Sequence, residues 1–168
     1  MHNLLPGDYR MMKNNWKTYA FWILLTEAVG AFSGWLTREG TQLFNETVVQ
    51  PPLSPPSIVF PIVWGILYAL MGISAARIRL APPSRARSQG MNLYITQLIL
   101  NFFWSLIFFN VQAYGFAFLW LLLLWVVVLG MILTFRKVDP LAAWLQVPYL
   151  LWLTFAAYLN FGVWYLNR

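Results

Sequence analysis

The amino-acid sequence predicts an all-α integral membrane protein, a five-transmembrane-helix bundle forming one domain over residues 1–168 with its N-terminus cytoplasmic. Three observations lead there. Hydrophobic side chains make up 60% of the 168 residues and charged ones only 10%, against about 45–50% and about 25% in soluble domains. Five stretches reach the roughly 20 mostly apolar residues that a bilayer crossing needs. Basic residues crowd into alternate connections. A chain this short, folded in water, would leave too much apolar surface exposed. That excludes a soluble enzyme, a secreted mini-protein and a disordered chain.

The first span is read at residues 19–36. About eighteen residues precede it and no A-x-A-like cleavage site follows, so it reads as a span rather than a signal peptide. The second is read at 58–78, entered through Pro51, Pro52, Pro55 and Pro56. Four prolines in the 37–57 connection predict an ordered cap rather than a slack tether. The third, 93–110, follows the break at Pro82 and Pro83; the fourth, 116–135, follows Tyr114-Gly115. The connection between those two is so short that they must be antiparallel neighbours. The fifth, 143–166, follows Asp139-Pro140. An odd number of spans with unmatched halves argues against an inverted-repeat transporter.

Orientation follows from the basic residues. Arg10, Lys13 and Lys17 precede the first span, Arg77, Arg79, Arg85 and Arg87 flank the second connection, and Arg136 and Lys137 lie in the fourth. The opposite side holds only Arg38 and Arg168. Nine against two places the N-terminus and the even connections in the cytoplasm. The high pI of about 9.9 is therefore a topology signal with attraction to acidic lipid, and a nucleic-acid partner is not expected.

Polar residues inside spans are costly and mark packing or function. Gln97, Asn101, Trp104 and Phe108 fall on one face of the third helix. Tyr149, Trp152, Ala156 and Asn160 repeat the spacing in the fifth, and Trp64, Tyr68, Gly72 and Ala75 in the second. Two readings stand side by side. The amides hydrogen-bond between helices and the aromatics pack or anchor at the interface, or the stripes wall a cavity with a few polar handles. Glu27 is the one carboxylate within a span, and Gly30-Ala31-Phe32-Ser33-Gly34 permits a close helix contact, within the bundle or with another subunit.

Catalytic arrangements are missing. The sequence has no cysteine and a single histidine, His2, which removes thiolate and imidazole metal sites and nucleophile–histidine pairs. No metal site and no required cofactor are expected.

Specific residues now carry a resemblance. The run from Pro51 through Ser54-Pro55-Pro56 to Phe60-Pro61, Trp64 and Tyr68 resembles the entry to the second helix of the translocator protein family (TspO/MBR, the peripheral benzodiazepine receptors). Gln97-Leu98-Ile99-Leu100-Asn101-Phe102-Phe103-Trp104 with Phe108-Phe109 is similar to its third helix, and Pro148-Tyr149-Leu150-Leu151-Trp152 with Phe155-Ala156 and Leu159-Asn160 to its fifth. The likeness covers about residues 30–167.

The resemblance implies a five-helix bundle, often a homodimer, in a bacterial cell membrane (a mitochondrial outer membrane for a eukaryotic member). It implies a pocket roofed by the first connection that takes porphyrins, protoporphyrin IX or haem, or another hydrophobic small molecule of the isoquinoline or benzodiazepine type. By position, the walls would be Trp64, Asn101, Trp104, Phe116, Trp152, Ala156 and Leu159. Some members bind sterol through a C-terminal motif. Here Leu159, Tyr165 and Arg168 match the loose pattern, but Phe161 stands at the usual tyrosine and Tyr165 at the usual arginine, so sterol is not the expected partner.

The roof also departs from the family. Its usual tryptophans are replaced by Leu43-Phe44-Asn45 and by Leu53 before Ser54. The expected function is therefore binding of a tetrapyrrole as carrier, sensor or regulator. Light-driven porphyrin degradation, or a purely structural role in assembly, are the alternatives.

Overall fold

The computed structural model describes the backbone of residues 6–168 and the side chains of residues 15–168. Arg10, Lys13 and His2, used above for orientation and chemistry, have side chains outside the described residues. The described elements are helical: α1 (Pro6–Leu36), α2 (Arg38–Thr47), α3 (Val59–Leu80), α4 (Arg85–Ser105, continued by a wide π turn at Leu106–Asn110), α5 (Tyr114–Arg136), α6 (Pro140–Trp144) and α7 (Val147–Leu166). Five segments are long and apolar enough to cross a bilayer: Asn15–Leu36, Val59–Leu80, Arg85–Asn110, Tyr114–Arg136 and Pro140–Leu166. Each runs past its apolar stretch, because a helix whose backbone is already paired continues readily into polar flanks at the headgroup level.

The helix ends follow local chemistry. Ser84 caps α4 by accepting the Arg87 backbone N–H at 3.1 Å, and Asp139 caps α6 by accepting those of Leu141 and Ala142 at 3.0 and 3.4 Å. Pro61 sits in the first turn of α3, where a missing N–H costs nothing. The fifth crossing, expected as one helix, is broken at Leu145 and Gln146 between α6 and α7. Pro148 has no N–H to offer the Trp144 carbonyl four residues back, and its ring crowds that carbonyl.

Packing closes the helices into a ring. Helix α1 lies on α3, α3 on α6, α6 and α7 on α5, α5 on α4, and α4 back on α1. The antiparallel α4–α5 pairing expected from the short connection is present. Close approach of α1 and α3 rests on Gly72, where a Cβ would come within 2.5 Å of the Ile23 Cα, and on Gly30, where a Cβ would collide with the Tyr68 ring. The Gly30 half of the small-residue motif thus serves the chain's own bundle. Thr26 of α1 and Tyr94 of α4 share a buried hydrogen bond.

One end of the bundle carries Arg77 paired with Asp139 at 2.7 Å. The other is covered by the 37–58 segment, an ordered cap whose first half is a helix, α2. Leu36 accepts from the Asn110 side chain at 3.1 Å. Val49 exchanges two hydrogen bonds with the Asn167 side chain at 3.0 and 2.8 Å, and Pro52 accepts from the Tyr158 hydroxyl at 2.8 Å. Gly162 lets Pro51 seat against α7, since a Cβ there would meet the proline ring at 2.5 Å.

Candidate ligand cavity

Beneath this cap is a cavity of about 640 Å³, within the roughly 300–1,000 Å³ of small-molecule sites. Helix α1 contributes Glu27, Gly30, Ser33 and Gly34; small residues there leave room that larger ones would fill. The cap contributes Thr41, Phe44, Asn45, Gln50 and Ser54. Helix α3 adds Phe60, Trp64 and Tyr68, α4 adds Trp104 and Phe108, and α7 adds Trp152, Ala156, Leu159 and Asn160.

The walls are pre-organised by aromatic contacts. Trp64 stacks on Tyr68 with centroids 5.4 Å apart, and Trp104 on Phe108 at 5.2 Å. Phe60 meets Trp152 edge-on at 5.8 Å. The roof ring, Phe44, packs on Phe108 at 5.3 Å and Phe109 at 5.5 Å. Such contacts hold large side chains in fixed rotamers at little cost to a binding event.

Behind the walls runs a buried polar network. The Tyr68 hydroxyl donates to Asn101 Oδ1 at 3.2 Å, Asn101 Nδ2 donates to the Tyr149 hydroxyl at 2.8 Å, and Tyr149 donates to Gln97 Oε1 at 2.8 Å. Trp104 Nε1 donates to Asn160 Oδ1 at 3.1 Å, and Asn160 Nδ2 to the Tyr114 carbonyl at 2.8 Å. Both readings of the stripes therefore hold at once. The amides join α3, α4, α5 and α7, while the rings of the same stripes line the space.

Trp64, Trp104, Trp152, Ala156 and Leu159, five of the seven residues expected as walls, come together on the cavity. Asn101 does not reach it. It is 2% exposed and its amide is spent on Tyr68 and Tyr149, one layer behind. Phe116 does not reach it either. It is 56% exposed on the outer face of α5, its ring 6.0 Å from Trp120. Helix α5 supplies none of the described lining residues; it backs α4 and α7 instead. Of the loose sterol pattern, Leu159 turns inward while Arg168 stacks over Tyr165 at 4.3 Å.

Several lining residues were not singled out from the sequence. Phe60 lies four residues before Trp64 on the same face of α3, a spacing that could have found it. Glu27, the one carboxylate within a span, is the one acidic side chain lining the cavity among the described residues. Arg38 lies at the rim with its guanidinium 5.1 Å above the Trp35 ring. The Trp152 indole N–H is buried and has no hydrogen-bond partner, and an unpaired buried donor is costly unless something arrives to accept from it.

Helices, cap and cavity together define an integral membrane protein with an aromatic-walled cavity under the capped end of its bundle. The sequence profile of the TspO/MBR family matches residues 22–166, and the chain belongs to that family. It is 36% identical over 151 residues to the tryptophan-rich protein TspO of Chlorobaculum tepidum, covering 89% of this chain and 96% of that one. It is 38% identical over 123 residues to protein CrtK of Rhodobacter capsulatus, covering 73% and 77%. Likeness to the translocator protein of Ovis aries is 35% over 148 residues, covering 86% and 87%.

Proposed function

We propose that this chain is a membrane receptor or carrier for a tetrapyrrole, protoporphyrin IX in the first instance, held in the cavity beneath α2. The observation that carries the reading is the chamber itself: three tryptophans, Trp64, Trp104 and Trp152, around one 640 Å³ space. A flat macrocycle gains from burial and from offset or edge-on contact with such rings. Its carboxylates would find Arg38, Thr41 and Asn45 among the lining residues. Haem gains no advantage over the free base, since the sole histidine of the sequence is His2 and an axial ligand is wanting. Other flat hydrophobic molecules, isoquinoline or benzodiazepine in type, suit the same walls.

The roof favours binding over light-driven degradation, because its inward ring is Phe44 where the family usually has tryptophan. The proposal extends to a bacterial cell membrane as the location, on the likeness to bacterial relatives. It extends also to a homodimer, on the family resemblance. Titration of the detergent-purified protein with protoporphyrin IX, read by tryptophan fluorescence, is expected to give saturable quenching. Quenching that rises without saturation, as for dye dissolved in micelles, would overturn the reading.

A further inference from the structure

A second concavity, about 580 Å³, opens between α1 and α4 at the opposite end of the bundle from the cap. It shares no lining residue with the aromatic chamber. Its long wall is one ridge of α4: Arg87, Met91 and Ile95 recur every fourth residue, with Ser88 and Asn92 beside them. Trp22 of α1 faces that ridge, and Arg79, in the last turn of α3, closes the mouth. The surface thus changes from cationic to polar to apolar over eight residues of helix, about 12 Å.

The two guanidinium groups are placed for an anion from outside. Arg87 donates from Nη1 to the Ala81 carbonyl at 2.9 Å, which fixes the planar head while its remaining N–H groups are left for another acceptor. Among the described residues, the ion pairs are Arg38 with Glu39 and Arg77 with Asp139, so the described acid at this end is already engaged by Arg77. Phosphate is, with carboxylate, an acceptor that the planar fork of arginine fits in two-point fashion. A free phosphate would leave Trp22, Met91 and Ile95 uncovered. A zwitterionic lipid would bring an ammonium group to two guanidinium groups, with no carboxylate lining the groove among the described residues.

We propose that this groove is a binding site for an acidic phospholipid. Its phosphodiester sits on Arg79 and Arg87, and the upper part of one acyl chain lies along Trp22, Met91 and Ile95. Such a lipid would also bridge α1 to the α3–α4 turn on the face where the bundle meets the membrane surface.

The test is native mass spectrometry of the full chain, released from detergent after incubation with dioleoyl phosphatidylglycerol or dioleoyl phosphatidylcholine. The wild type is expected to retain one phosphatidylglycerol with a preference of about tenfold or more over phosphatidylcholine. Replacing both groove arginines (Arg79→Gln with Arg87→Gln) should bring that preference to near unity. Met91→Trp, which keeps both arginines and fills the apolar floor, should also release the lipid. Arg136→Gln with Lys137→Gln removes the same charge elsewhere at this end and should leave the preference intact. Saturable protoporphyrin quenching, or an unchanged helical circular dichroism spectrum where quenching is absent, establishes that each variant is folded. Equal retention of the two lipids by the wild type overturns the proposal. So does equal loss in the Arg136/Lys137 variant, which would mean diffuse attraction. Displacement of phosphatidylglycerol by millimolar inorganic phosphate, with Met91→Trp unaffected, would mean a free-anion site and would overturn it too.

Discussion

Trp104 and Trp152 look equivalent as walls, yet their indole nitrogens are not. Trp104 Nε1 is paired with Asn160, whereas Trp152 Nε1 has no partner. Removing Trp104 therefore strands a buried amide oxygen as well as a wall, at a cost of about 1–3 kcal/mol, and confuses binding with folding. Trp152 is the cleaner probe. Trp152→Phe keeps a smaller aromatic face and removes the indole N–H, so protoporphyrin affinity is expected to fall a few-fold. Trp152→Ala removes the face too, and an aromatic contact contributes about 0.5–1.5 kcal/mol beyond area, so the loss should approach tenfold. Quenching titrations of the two variants, with Tm as the control on folding, check this order. Equal affinity in wild type and Trp152→Ala would remove Trp152 from the site.

Elements set which residues face the chamber, and α2 decides the roof. Thr41, Phe44 and Asn45 line the space, one face of a short helix, while Leu43 is 47% exposed on the other face. If porphyrin loss under light requires a roof tryptophan, the native protein should bind protoporphyrin IX and destroy it slowly. Phe44→Trp should then accelerate the loss with little change in affinity, because one ring replaces another against Phe108 and Phe109. Leu43→Trp should do nothing. Absorbance of bound porphyrin during illumination reads all three, and rapid loss in the native protein would defeat the roof argument. The opposite end offers an electrostatic test. Burial pushes the Asp139 carboxyl up, but Arg77 and the backbone N–H groups of Ala142 and Leu141 outweigh it and leave its pKa below the ordinary value. A lowered folded pKa contributes stability that is full above the unfolded value, about 3.9, and is lost as pH falls toward the folded one. The Tm of the native chain should therefore drop more steeply between about pH 5 and about pH 3 than that of Asp139→Asn, which keeps a cap but not the charge.

At the scale of the whole molecule, the spans and their neighbours were legible because apolar length and a spacing of three to four residues are one-dimensional signals. Trp64, Trp104, Trp152, Ala156 and Leu159 were found through those stripes and the family likeness. Asn101 and Phe116 were misplaced relative to the chamber for different reasons. A helical face does not reveal depth, so Asn101 could not be told from the ring in front of it; Phe116 depended on how α5 is rotated, which only packing fixes. The break at Gln146 was written in Pro148 but masked by continuous hydropathy. Helix α2 was hidden because it is short and polar, ten residues of which only Leu43 and Phe44 are large and apolar, and a connection between spans is not read for apolar length. What the fold adds to the charge count is segregation in space. Lys17, Arg77, Arg79, Arg85, Arg87, Arg136 and Lys137 belong to the end opposite the cap, while Arg38 and Arg168 flank the cap, each stacked on aromatic rings. Basic residues are retained on the cytoplasmic side during insertion, so the cap and the mouth of the chamber should face outward and the Arg79–Arg87 groove inward. The absence of cysteine from the sequence makes this directly measurable. In intact cells a membrane-impermeant maleimide should label Glu46→Cys on α2, and should label Pro82→Cys in the α3–α4 turn only after permeabilisation. Labelling in the reverse order would invert the protein in its membrane and, because one crossing separates the N-terminal segment from the cap, would move its N-terminus to the outside.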